Sequence, residues 1–317
     1  MKNDRYAIYA DRLVRDFGDV RAVGGVDLDV RYGEIFGFLG PNGAGKTTVL
    51  RMLTPLLAPT SGENWVEVYD LRRNPGEVRL RIGAAQQEAA LDNKQTGREL
   101  LRLQGRIYGL TGKQGNERIA DLTDLVDIGD AMDRLIATYS GGMKRRLDLA
   151  AALIHRPIVL FLDEPTTGLD PISRARIWEE IRAINEEMAV TIFLTTQYLE
   201  EADSLAHRVG IIDRGRLAAQ GTPADLKRAR GSDLIVVRLD GQIDEAVAAL
   251  AELPEVEHVE AHGQELTASV SNGASLVSAV ALALDRRGVQ VQELTLRTPT
   301  LDDVFLQVTG GRLQEGA

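Results

Sequence analysis

The residues Gly40-Pro41-Asn42-Gly43-Ala44-Gly45-Lys46-Thr47-Thr48 carry the densest chemical signal in the chain. Their spacing satisfies GxxxxGK[ST], a loop whose turned backbone N–H groups wrap a phosphate. The glycines supply backbone freedom, and the dipole of a following helix favours negative charge. Lys46 is expected to reach β- and γ-phosphates, and the Thr47 hydroxyl to bind Mg²⁺. A second candidate is Asp163-Glu164, two adjacent carboxylates closing an apolar run. Asp163 is placed for the metal's shell, while Glu164, pointing another way, suits polarising an attacking water. Taken alone, this pair reads better as an acidic turn after a buried strand. Between the two motifs lie Tyr139-Ser140-Gly141-Gly142-Met143 and the basic Lys144-Arg145-Arg146. By themselves these read as a helix N-cap followed by a solvated basic face.

Such residues need elements to hold them. The run Ile35-Phe36-Gly37-Phe38-Leu39 precedes the glycine loop, helical Val49-Leu50-Arg51-Met52-Leu53 follows it, and Ile158-Val159-Leu160-Phe161-Leu162 leads into Asp163. Short apolar runs alternating with helical patterns predict strands buried on both faces, hence an α/β domain with a largely parallel sheet. From Glu88 to about Leu135, Leu100, Leu103, Ile107 and Tyr108, then Ile119, Leu122, Leu125 and Val126, fall at helical spacing and predict a mainly helical insert. Near residue 230 the pattern changes. Alternation over Leu234 to Leu239 is followed by a helix with Ile243, Ala246, Val247 and Leu250 on one face. Strands around Val256 to Ala261 and Glu265 to Val270, a helix through Leu276, Val280 and Leu284, and a strand from Val289 to Leu296 complete the order βαββαβ of a small α+β, ferredoxin-like domain. Thr300 to Leu306 matches a capping-box start to a last short helix, and residues 311–317 are expected to be a disordered tail.

In this order the motifs resemble the ATP-binding subunits of ABC transporters. Ser140-Gly141-Gly142 matches the signature that sets that superfamily apart among phosphate-loop proteins, with Tyr139 and Met143 in place of its usual Leu and Gln. The resemblance spans residues 13 to 221. It implies a P-loop NTPase core over residues 1–230 with a helical subdomain at about 88–150; residues 231–310 are then an accessory or regulatory domain, expected either to bind a small regulator or to enlarge the dimer or permease contact. It also implies ATP and Mg²⁺, the nucleotide held by Gly40, Asn42, Gly43, Ala44, Gly45, Lys46, Thr47 and Thr48 and the ion by Thr47, Gln87 and Asp163. Phe17 stands where the family has an aromatic stacked on adenine. Gln87 resembles the glutamine that touches the ion and the attacking water, with Gln86 the competing choice. Thr167-Gly168-Leu169-Asp170 resembles the loop that crosses a dimer interface, Asp170 being its functional carboxylate. Gln197 stands where most members place a switch histidine; an amide can donate to a γ-phosphate but carries no proton near neutral pH. The implied assembly is a head-to-tail homodimer with two ATPs between subunits, each site completed by Ser140, Gly141 and Gly142 of the other copy.

Gln197, the phrase from Asp92 to Leu100 and the ending Thr298 to Leu306 narrow the resemblance to the daunorubicin/doxorubicin-resistance, DrrA-like type. In that family a separate ATPase chain pairs with a multi-span permease and powers export of drugs or lipid-like compounds. Composition fits and limits this reading. The chain has 317 residues, 44% of them hydrophobic, which suits two domains. Its 47 acidic and 37 basic residues give a net charge of −10, which disfavours nucleic acid as a main partner. An ABC ATPase of nucleic-acid repair or translation is the alternative; the compact segment between Lys46 and Ser140 and the single copy of each motif argue against it. The lack of cysteine excludes disulfides, thiolate zinc sites and a cysteine nucleophile. The opening residues hold no apolar signal core, and the longest stretch without charges, Leu266 to Leu284, is broken by Thr267, Ser269, Ser271 and Asn272. With no membrane span of its own, the chain is expected to be cytoplasmic and peripheral on the inner face of the membrane through its permease. His258 and His262 on one strand would lie about 13 Å apart, too far to share a metal, and read as solvated positions.

Overall fold

The computed structural model describes residues 5–86 and 91–309, so Gln87 and the expected 311–317 tail lie outside the described residues. The chain opens with the antiparallel pair β1 (Tyr6–Phe17) and β2 (Val20–Arg31). Next come β3 (Ile35–Leu39), α1 (Lys46–Leu53), β4 (Ser61–Val66), β5 (Tyr69–Asp70), the short α2 (Pro75–Arg79) and β6 (Ile82–Ala85). The helical insert contributes α3 (Gly97–Ile107), α4 (Gly112–Leu125) and α5 (Gly141–Leu153). The chain then returns through β7 (Val159–Asp163), α6 (Pro171–Met188), β8 (Thr191–Thr196), α7 (Leu199–Leu205), β9 (Arg208–Asp213) and β10 (Arg216–Gly221). Last come α8 (Pro223–Arg230), β11 (Asp233–Leu239), α9 (Ile243–Ala251), β12 (Val256–His262), β13 (Glu265–Val270), α10 (Gly273–Arg286), β14 (Val291–Arg297) and α11 (Leu301–Thr309). Internal contacts separate a unit ending at Pro223 from one beginning at Ala224.

The first unit is built on a six-stranded sheet in the order β10-β9-β3-β8-β7-β6, parallel except for β10. Every residue of β3, β7 and β8 is buried, as a parallel sheet covered on both faces requires. Alternate side chains serve different cores. Phe36, Phe38, Phe161 and Phe193 point to the layer shared with Ile8, Leu13 and Val26 of the β1–β2 pair. Leu160, Leu162, Ile192 and Leu194 point to the layer covered by helices, with Leu101, Leu122, Leu147 and Ile181. Pairing sets Leu39 against Thr196 and Asp163 against Thr195. The loops leaving β3, β7 and β8 therefore emerge side by side at one carboxyl edge, where ligands gather in open α/β sheets.

A second sheet, antiparallel in the order β2-β1-β4-β5, has no counterpart in the sequence reading. Arg12 takes a left-handed φ of 47°, and the β1–β2 register shifts between Ala10 and Leu13, so the period-two pattern breaks in mid-strand. The helical insert differs in one face. Leu103 and Ile107 of α3, expected to point inward, are 46% and 66% exposed, while Leu100, Leu101 and Gly105 are buried. Gly105 lies on the buried face, where a Cβ would make ordinary contacts 3.6 Å from Leu110 and 3.7 Å from Ile154.

The second unit has the antiparallel sheet order β12-β13-β11-β14, with α9 and α10 supplying Ala246, Leu250, Leu276, Val280 and Leu284 to a core against Ile235, Val237, Leu266 and Ala268. This is the expected βαββαβ, ferredoxin-like arrangement. His258 and His262 are exposed on β12 and stand 3.3 and 3.5 Å from the two oxygens of Glu260. The capping box of α11 is formed: the Thr300 and Asp303 N–H groups donate to each other's side chains at 2.9 and 3.2 Å.

Candidate functional site

The glycine loop joins β3 to α1 through two positions that admit no side chain. Gly45 has φ 108°, and a Cβ on it would lie 2.9 Å from the Ala22 carbonyl; one on Gly40 would lie 2.5 Å from that of Ile212. Ala44 packs beneath, 3% exposed. Lys46, the first residue of α1, is buried and folds back across the loop. Its Nζ donates to the carbonyls of Gly40 at 2.8 Å and Pro41 at 3.3 Å, and lies 3.3 Å from Glu164 Oε1. Thr47 Oγ1 donates to Asp163 Oδ1 at 3.4 Å, and Thr195 Oγ1 to the same oxygen at 2.5 Å.

Glu164 sits on a bend with φ 46°, an uncommon conformation for a residue with a Cβ. Its N–H is shared between the carbonyl and hydroxyl of Thr195, both at 3.1 Å, and its Oε2 accepts from Thr167 Oγ1 at 3.1 Å. A cavity of about 430 Å³ brings Asn42, Gly43 and Gly45 to Thr48 together with Glu164 and Gln197, adding Ala22 and Thr167. Its chemistry fits a nucleotide phosphate chain: turned N–H groups at a helix start, a buried lysine, and a hydroxyl and carboxylate set for a hard cation that prefers oxygen.

Other expected site residues lie away from this cavity. Phe17 ends β1, 47% exposed, with the Arg15 guanidinium 4.5 Å from its ring centroid. Ser140 caps α5, its Oγ accepting the Met143 N–H at 3.2 Å, and Gly141 and Gly142 form the helix's first turn. Tyr139, in the place of the usual leucine, is buried and donates its hydroxyl to the Ala131 carbonyl at 2.6 Å. Asp170 caps α6, accepting the N–H of Ser173 at 3.0 Å and its hydroxyl at 2.6 Å. Those bonds hold its carboxyl below the usual range.

Three buried polar positions near the candidate site escaped the sequence reading. Thr195 bonds both Asp163 and the backbone of Glu164; its one signal is a hydroxyl at the end of an apolar strand. Arg145, read as part of a solvated face, is 6% exposed and gives its guanidinium to main-chain carbonyls. Glu201 is fully buried, its Oε1 accepting from Thr166 Oγ1 at 2.8 Å and Trp178 Nε1 at 3.0 Å, and burial raises its pKa.

Two family models match the chain: ABC transporter over residues 23–167, and the C-terminal domain of DrrA1-3-like ATP-binding proteins over residues 221–309. The daunorubicin resistance ATP-binding protein DrrA2 of Streptomyces coeruleorubidus is 45% identical, covering 98% of this chain and 97% of its own. The chain belongs to the DrrA-type ATP-binding proteins of ABC transporters. The daunorubicin/doxorubicin resistance ATP-binding protein DrrA of Streptomyces peucetius is 44% identical to this ABC ATPase, over 96% of this chain and 92% of its own. Among solved structures, cbiO1 from Clostridium perfringens, part of the ABC transporter complex cbiONQ, matches with TM-score 0.66 and 25% identity over 70% of this chain and 90% of that one. The fold of this ABC ATPase is thus a P-loop NTPase core with an added C-terminal domain, and its activity is ATP hydrolysis. The nucleic-acid alternative finds no support in these comparisons. No helix among the described residues is long and apolar enough to cross a membrane.

Proposed function

We propose that this ABC ATPase powers export of a hydrophobic drug, antibiotic or lipid-like compound through a separate multi-span permease. The observation that carries the reading is the meeting of Lys46, Thr47, Glu164 and Gln197 around one cavity, with Asp163 bonded to Thr47 behind it. Phosphoryl transfer needs little covalent help from the protein, so positioning and charge stabilisation supply most of the rate. The loop from Gly40 to Thr48 cradles the phosphates, and Lys46 neutralises charge growing on them. Glu164 orients the attacking water, and Gln197 donates its amide to the γ-phosphate. Thr47, Asp163 and Gln87 would hold Mg²⁺, which when bound screens the phosphate oxygens. Phe17 offers the adenine a ring face. Ser140, Gly141 and Gly142 act in trans, completing the site of a second copy across a head-to-tail interface lined by Asp170. ATP then holds the dimer closed, and hydrolysis releases it.

A second cavity, of about 310 Å³, borders Gln86 and is lined by Leu56, Gln104, Tyr108, Asp148 and His155. Its place beside the residue preceding Gln87 supports it as the seat for a helical segment of the permease, which brings the ATPase to the inner face of the membrane. The domain assignment follows: residues 1–230 hydrolyse ATP, and 231–310 enlarge the contact with the second copy or the permease. Glu164→Gln tests the site. In Mg²⁺ and ATP the variant is expected to accumulate as a dimer in size-exclusion chromatography, with turnover near zero. Wild-type turnover by this variant would remove Glu164 from its role.

A further inference from the structure

The helix α5 serves two places at once. Its N-terminal turn carries Ser140, Gly141 and Gly142, whose proposed task lies in the other copy's site. Five residues on, roughly 7.5 Å along the axis and on another face, stands Arg145. Its guanidinium is buried, and its contacts are specific: Nε donates to the Pro165 carbonyl at 3.0 Å, Nη2 to the Asp163 carbonyl at 3.2 Å, and Nη1 to the Gln86 carbonyl at 2.5 Å. Asp148, one turn further along α5, lies 3.4 Å from Nη1 and supplies the counter-charge.

Two of the three carbonyls flank Glu164, whose left-handed backbone needs outside support to persist. The third belongs to the residue before Gln87. A planar fork places five fixed donors on three separate nitrogens and so spans carbonyls set further apart than the three donors of a single ammonium nitrogen can reach. A shift of α5 therefore moves the peptide groups that aim Glu164, and with them the entry to the Gln87 segment.

We propose that Arg145 is a positioning residue that couples the two ATP sites of the dimer: engagement of the α5 N-terminus by the other copy's nucleotide is carried through Arg145 to the orientation of Glu164 in its own site. The inference rests on the trans placement of Ser140 to Gly142 in the proposed dimer. It follows that hydrolysis at one site depends on occupancy of the other, a coupling between distinct sites through one rigid element.

The test uses the full chain with Arg145→Lys, and Arg145→Met combined with Asp148→Asn so that no carboxylate is left buried without its partner. Steady-state ATPase is measured against ATP concentration, and binding of a fluorescent ADP analogue to each dilute protein reports the phosphate loop alone. Wild type is expected to respond sigmoidally, with a Hill coefficient of about 1.5 or more for two coupled sites. Both variants are expected to fall to a coefficient of about 1 and to lose roughly 10- to 100-fold in kcat, with ADP affinity within about twofold of wild type. Lysine fails to rescue because it lacks the fork. Wild-type kcat and Hill coefficient in Arg145→Lys would overturn the inference, as would loss of ADP affinity in step with kcat, which marks a general packing role. Glu164→Gln with Arg145 intact separates the two levels. If it dimerises in ATP while the Arg145 variants behave as wild type, the inference alone fails; if it does not dimerise, the trans reading fails and takes the inference with it.

Discussion

Glu164 shows how the site is held at the scale of a single residue. Its φ of 46° turns the chain so that Asp163 faces Thr47 while Glu164 faces Lys46, and the adjacent carboxylates meet different partners. The sequence made both carboxylates legible as site candidates through the strand ending at Leu162, but not the bend itself, whose flanking carbonyls accept from Arg145 of another element. Arg145 was illegible for the same reason: a basic triplet after a helix start looks solvated until the neighbouring strand covers it. Phe17 and Asp170 were legible as residue types, while their present partners, Arg15 and Ser173, follow from local geometry. Gln197 shows a different chemistry. An amide donor cannot titrate, so no imidazole limb near pH 6.5 is expected in the kcat profile. Gln197→Ala is expected to leave ADP binding intact and to lower kcat roughly 10- to 100-fold, by loss of one donor to the transferring group. Unchanged hydrolysis in a coupled-enzyme assay would show that the amide has no such role.

Elements were read well where period and burial agree. The continuous apolar runs of β3 and β7 are strands covered on both faces, as read, and their carboxyl ends carry the candidate site. The β1–β2 pair was lost because its bulge at Arg12 scrambles the alternation, and the buried face of α3, with Leu100, Leu101 and Gly105, includes glycines that an apolar count does not register. Between elements, α5 and α6 are tied by Arg146 and Glu180, 3.6 Å apart. Burial outweighs that guanidinium, aided by nearby Asp127 and Glu179 and opposed by Arg176, and pushes the Glu180 pKa up to about 8. The folded chain thus keeps a proton that the unfolded chain releases between about pH 4.5 and 8, and this group's contribution to stability falls as pH rises through that window. Glu180→Gln, which fixes the neutral form, is expected to match wild type at pH 5 and to exceed its melting temperature at pH 8.5. A difference that stays constant across pH would contradict the shift.

On the scale of the whole molecule, three cores with separate residue sets are found among the described residues, two in the first unit and one in the second. The sequence disclosed this through a change of period, helical and buried-strand patterns giving way to alternation near residue 230. With the nucleotide held by the glycine loop as proposed, mass action raises the stability of the first unit. Scanning calorimetry with excess Mg²⁺ and ADP is expected to move the transition of the first unit upward and leave that of the second in place. Equal movement of both would mean that they unfold as one. The buried hydroxyl of Tyr139 reaches beyond the folded state into inheritance. A Cβ at Gly97 would stand 2.6 Å from that oxygen and 3.2 Å from Met132 Sδ, so a side chain at the start of α3 requires the phenol to shift. Descendants of this sequence that alter Gly97 are expected to displace or replace the phenol at position 139, so lineages should show the two sites drifting as a pair.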